Sequence, residues 1–143
     1  SNLGFSYRNG QGVLQDDAEA AKWYRLAAKQ GIAMAQSNLG FMLANSLGVP
    51  QDFTESAKWY GLAAEQGDVS AQINLGIGYD LGRGGLQDDI MAHMWYNVAS
   101  ANGAKNAGSY RDETEAKMTS NEIKKAQEMA QECLKSNYKK CGY

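Results

Sequence analysis

The sequence predicts an all-α solenoid built from antiparallel helix pairs, and three observations carry that prediction. Four motifs recur three times at one offset of 36 residues: Asn2-Leu3-Gly4, Gln15-Asp16, Trp23-Tyr24 and Gly31 return as Asn38-Leu39-Gly40, Gln51-Asp52, Trp59-Tyr60 and Gly67, then as Asn74-Leu75-Gly76, Gln87-Asp88, Trp95-Tyr96 and Gly103. Self-similarity at such a period marks stacked units that cannot bury their apolar faces alone. The units carry helix start and stop signals. A single proline, Pro50, leaves long helices uninterrupted.

The elements follow in order over three units, 1–31, 32–67 and 68–103. In the first, Asp16 with Glu19 three residues later marks the start of a second helix, and Gly31 its left-handed stop. The first helix of this unit looks cut at residue 1, so upstream repeats are expected. In the second unit, residues 32–45 read as a helix broken by Gly48-Val49-Pro50. Asp52 and Glu55 predict a capping box, Ala57, Tyr60 and Ala64 recur at helical spacing, and Gly67 stops the chain. The third unit keeps Asp88, but Met91 replaces the acid of the box. Gly4, Gly40 and Gly76 lie inside first helices, where glycine costs about 1 kcal/mol against alanine. Close approach of a bulky neighbour, with the Trp-Tyr pairs as the large partners, explains that placement.

After Gly103 the period fails. Thr119 and Glu122 form a capping box, Met118 and Ile123 a hydrophobic staple. The helix that follows carries Ile123, Ala126, Met129, Ala130 and Cys133 on one face and Lys124, Lys125, Glu128, Glu132 and Lys135 on the other. Residues 104–143 are therefore expected to form C-terminal capping helices and a tail.

Composition narrows the function. A net charge of -2 gives no basic field for nucleic acid, and no apolar run reaches the roughly 20 residues of a membrane helix. One histidine, His93, next to one of the tryptophans, reads as a packed or surface side chain rather than a ligand. Gly82-Arg83-Gly84-Gly85 lacks the Lys-Ser/Thr of a phosphate loop and falls where the other units have ordinary inter-helix loops. Asp16-Asp17 and Asp88-Asp89 sit at helix starts, where carboxylates satisfy free N–H groups. Lys22 and Lys58 read as solvated. No acid/base or nucleophile constellation is visible, so no catalytic residue, metal or cofactor is expected. Cys133 and Cys141 are either two free thiols or a short disulfide. A continuous helix would hold their Cα atoms about 12 Å apart, beyond the roughly 7 Å limit of a disulfide. A bond therefore requires the helix to end between them, and Asn137 is a suitable left-handed stop.

The pattern Asn-Leu-Gly, Gly-x-Gly-Val, Gln-Asp, Lys-Trp-Tyr and Ala-Ala-x-Gln-Gly resembles the Sel-one-like repeat (SLR), a relative of the tetratricopeptide repeat, over residues 1–103. The third unit departs from it in part, with Gly85 for the valine and Met94 for the lysine. The resemblance implies a right-handed superhelix and a non-catalytic scaffold or adaptor that binds a protein or peptide on its concave face. A monomer is expected, with no nucleic acid and no membrane insertion. Similar bacterial members often end in such a cysteine pair, which implies a Cys133–Cys141 disulfide and a periplasmic or secreted location; the cytoplasm is the alternative. Aligned with tetratricopeptide core positions, the groove falls to Phe5, Arg8 and Asn9 in the first unit, Ser37, Phe41 and Asn45 in the second, and Ile73, Ile77 and Asp80 in the third. One column is apolar throughout: Phe5, Phe41 and Ile77. It is either core between neighbouring helices or an apolar ladder in a peptide groove. A second function class stays open: an envelope protein that binds cell-wall or polysaccharide ligands, with or without hydrolytic activity.

Overall fold

A computed structural model describes residues 16–142 of the chain. The expected groove residues Phe5, Arg8 and Asn9 lie outside the described residues, as do the first-unit motifs up to Gln15. The described residues form seven helices and no strand: α1 (Asp17–Lys29), α2 (Ala33–Ala44), α3 (Phe53–Ala64), α4 (Val69–Leu81), α5 (Asp89–Ala101), α6 (Ala107–Glu115) and α7 (Ser120–Lys135). Each of α1 to α5 packs on the next, and α5 also carries both α6 and α7. The architecture is a repeat solenoid of helical pairs.

The period is written in hydrogen bonds. Asp16, Asp52 and Asp88 each accept from the backbone N–H three residues on, at 3.0, 2.9 and 3.0 Å, and such a cap contributes about 1 kcal/mol. The expected capping boxes are not closed, however. Glu55 does not reach back to the Asp52 N–H, which donates instead to the Leu43 carbonyl. Its carboxylate takes the Trp59 indole N–H at 3.0 Å and Arg25 of α1 at 2.6 Å. Glu19 likewise accepts from Trp23 at 3.1 Å. In both cases the indole four residues along the same helix face takes the carboxylate that a closed box would use. Among the described helices, only α7 has the full box, between Thr119 and Glu122.

Two further bonds repeat between units. Gln36 donates to the Ala28 carbonyl at 3.2 Å and Gln72 to the Ala64 carbonyl at 3.1 Å. Gln66 donates to Gln36 at 2.8 Å, and Asn102 to Gln72 at 3.0 Å. Each buried glutamine thus satisfies a carbonyl at the end of the preceding unit's second helix.

Side chains of complementary size fill the pairs. An added Cβ at Gly40 would lie 3.0 Å from the Tyr60 ring, and one at Gly76 would lie 2.6 Å from Tyr96. In the loops, Gly48 and Gly84 have φ of +72° and +78°, and a Cβ at either would run into the backbone at the start of α1 or α3. Backbone freedom and the absence of Cβ are both needed there.

The C-terminal helices close the stack on α5. Tyr110 of α6 stacks on Tyr96 with ring centroids 5.5 Å apart. His93 is fully buried, with Nε2 2.8 Å from Glu115 and Nδ1 3.0 Å from the Asn97 amide. Asn97 accepts from Arg111 at 3.2 Å, so its NH2 faces Nδ1 and the imidazole proton sits on Nε2, toward Glu115. The histidine is a packed member of a polar network. From α7, Ala130 and Cys133 join Trp95, Met91 and Val98 in one apolar cluster. Asn137 and Tyr138 then take φ of +56° and +67°. The chain turns back, and Cys133 is bonded to Cys141 with Cα atoms 4.3 Å apart.

Candidate functional site

The departures of the third unit from the period make a cavity. Met42, fully buried in the core of α1 and α2, corresponds to Gly78, and a Cβ at Gly78 would meet nothing within 4 Å. Val49, packed against the same core, corresponds to Gly85, and Pro50 to Leu86. Removing a methionine and a valine side chain from successive layers leaves space that no neighbour refills. The result is a cavity of about 310 Å³ between α2, α3, α4 and the loop before α5.

Its walls are Phe41, Phe53, Tyr60, Leu75, Ile77, Tyr79 and Leu86, with Asn45, Asn74, Ser56 and Arg83 as polar groups. The Ser56 hydroxyl is committed, donating to the Gly40 carbonyl at 2.6 Å. Asn45 donates to the Phe41 carbonyl at 2.8 Å and Asn74 to the Ser70 carbonyl at 3.0 Å. Burial raises the Tyr60 phenol well above its usual range against the opposing pull of Arg83. Tyr79 is raised by burial and then by Asp88. Both phenols are therefore neutral at physiological pH. The Arg83 guanidinium lies over the Phe53 ring, 5.1 Å from its centroid. No carboxylate among the described residues forms an ion pair with it.

Of the residues expected in a groove, the structure brings Phe41, Asn45 and Ile77 to this cavity. Phe41 is 41% exposed, so it is no core side chain. The others lie elsewhere. Ser37 is buried, because it shares a helix ridge with Gly40 and Ala44, the side that turns to α3. Ile73, half-buried one turn before Ile77, is not part of the cavity wall. Asp80 is engaged by the C-terminal unit: Lys117 reaches it at 2.9 Å and Asp89 at 3.5 Å. The bond to Asp80 holds the Lys117 amine above its usual range. The loop Gly82-Arg83-Gly84-Gly85, expected as an ordinary connection, forms part of the cavity wall. Its departure from Leu47-Gly48-Val49 at the same register is the signal that could have found it. No group of three or more acidic, cysteine or histidine side chains among the described residues could hold a metal ion. No described helix is long and apolar enough to cross a membrane.

Comparison with known proteins agrees with the architecture. The Sel1 repeat model matches at residues 1–32, 33–68 and 69–103. A crystal structure of a protective antigen from uropathogenic Escherichia coli strains, which displays an SLR fold, is 33% identical with a TM-score of 0.87. The match covers 96% of this chain and 30% of that one, so the chain spans under a third of that protein. A Sel1 repeat protein from Oxalobacter formigenes is 40% identical with a TM-score of 0.70, over 78% of this chain and 84% of that one. No curated protein matches the chain.

Proposed function

The chain belongs to the Sel1 repeat family, and from that premise we propose that it is a non-catalytic interaction scaffold whose partner is a protein seated on α2 and α4. The observation that carries this reading is the joint placement of Phe41 and Ile77. They stand one repeat apart on first helices, and both face the same solvent-open apolar cavity. A row of apolar sites on a rigid repeat array accepts side chains of an extended segment in turn. Stacked helices lie roughly 10 Å apart, which matches about three residues of extended chain. Phe5, Arg8 and Asn9 would extend the row into the first unit.

The reading includes a monomer, without nucleic-acid binding, in an oxidising compartment, the periplasm or the exterior. The Cys133–Cys141 bond supports that location, since structural disulfides persist where thiols are not kept reduced. The His93–Glu115 pair is the nearest approach to an acid/base set among the described residues; its imidazole is fully buried between α5 and α6, and neither residue lines the cavity. The experiment is affinity capture from the native host with wild-type and Phe41→Ala protein, followed by titration of the captured partner in purified form. The reading expects a defined partner that Phe41→Ala loses. A partner held equally by both proteins would overturn it.

A further inference from the structure

We propose that the cavity is an anchor for a peptide segment in which a bulky apolar side chain is followed or preceded by a carboxylate residue. The inference deepens the scaffold reading and rests on it. Three features point to this chemistry. The cavity has the volume of a small ligand site, about 310 Å³, and its aromatic and aliphatic walls suit one phenylalanine- or leucine-sized side chain. At its edge stands Leu86, 92% exposed, an apolar side chain with no packing role in the described fold. Such a side chain gains by closing over an apolar guest.

Charge complementarity selects the neighbour. Arg83 stands at the period position of Leu47 and is the one charged residue among those that line the cavity. It is held flat on Phe53 and pairs with no described carboxylate. A stacked guanidinium keeps its in-plane N–H donors for a carboxylate. Asn45 and Asn74 flank the guest from α2 and α4. Their NH2 groups are tied to their own helices, which leaves each Oδ1 to accept from the N–H groups of an extended backbone. An isolated apolar ligand would use none of these polar groups.

The test is fluorescence anisotropy with labelled Gly-Ser peptides carrying a central Phe-Glu or Glu-Phe pair, against Phe-Lys, Lys-Phe and Ala-Glu controls. Wild type should bind the Phe/Glu peptides about fivefold more tightly than the Phe/Lys peptides, and Ala-Glu should be about tenfold weaker. Arg83→Glu changes an exposed side chain and should reverse the charge preference. Gly78→Met restores the residue of the preceding unit; it should keep or raise the melting temperature and abolish binding of every peptide. Equal binding of the Glu and Lys peptides, no binding of any of them, or full binding by folded Gly78→Met would overturn the inference. The scaffold reading fails separately. A host partner captured equally by wild type and Gly78→Met, yet lost by Phe41→Ala, sinks this inference and keeps that one.

Discussion

Trp95 finds no hydrogen-bond partner among the described residues for its buried indole N–H, because Met91 stands where Glu19 and Glu55 accept from Trp23 and Trp59. The same exchange removes a carboxylate from the surface on which α7 and the disulfide-bonded tail pack. Met91 and Trp95 instead share an apolar cluster with Ala130, Cys133 and Cys141. The acid-to-methionine change thus gives α5 an apolar surface on which the cap packs. Met91→Glu would place a carboxylate under the cap and should cost about 2–4 kcal/mol. Thermal melting reads the loss, and hydrogen exchange should rise first over 120–135.

The Arg25–Glu55 pair makes stability depend on pH. The Arg25 guanidinium, and then the Trp59 indole, hold the Glu55 carboxyl below its ordinary value of 4.5. Its contribution is whole above that unfolded value and fades as pH falls through the lower folded one. Both side chains are about one-third exposed, so the effect is under about 1 kcal/mol. Denaturant midpoints from pH 7 down to pH 3 should fall more steeply for wild type than for Glu55→Gln.

Two helical glycines should respond with opposite signs. Gly40→Leu drives a side chain into the Tyr60 ring and should cost about 1–3 kcal/mol. Gly78→Ala meets open space and should stabilise by up to about 1 kcal/mol. Melting curves of the two variants decide whether the packing described for α2 and α4 is right.

The Cys133–Cys141 bond closes a short loop, and the chain-entropy relation assigns it about 2.6 kcal/mol. Protein from its own host, denatured without reductant, should titrate no free thiol. Reduction should lower the melting temperature and loosen the tail before the repeats.

Much of the fold was legible because a strict period reports helices directly. Each Asp cap, each stop glycine and the glycine–tyrosine contacts sit where their motifs recur. The glutamine bonds between units were missed: Gln36 and Gln72 stand one period apart, but a buried amide has no periodic apolar signature. The site was half legible. Phe41 and Ile77 follow from repetition, whereas the cavity arises where repetition fails, at Gly78, Arg83, Gly85 and Leu86. The placement of Ser37 and Asp80 depended on contacts that a single helix does not encode: the ridge toward α3 in one case, Lys117 from a distant turn in the other.

The central claim is that Phe41 serves a partner rather than the core. Isothermal titration of the purified partner against Phe41→Ala, with melting temperature measured on the same samples, tests it directly. Loss of this partly buried contact should weaken binding by about tenfold or more, with a melting temperature within a few degrees of wild type. Unchanged affinity per folded molecule together with a strongly lowered melting temperature would return Phe41 to the core and move the partner to another face.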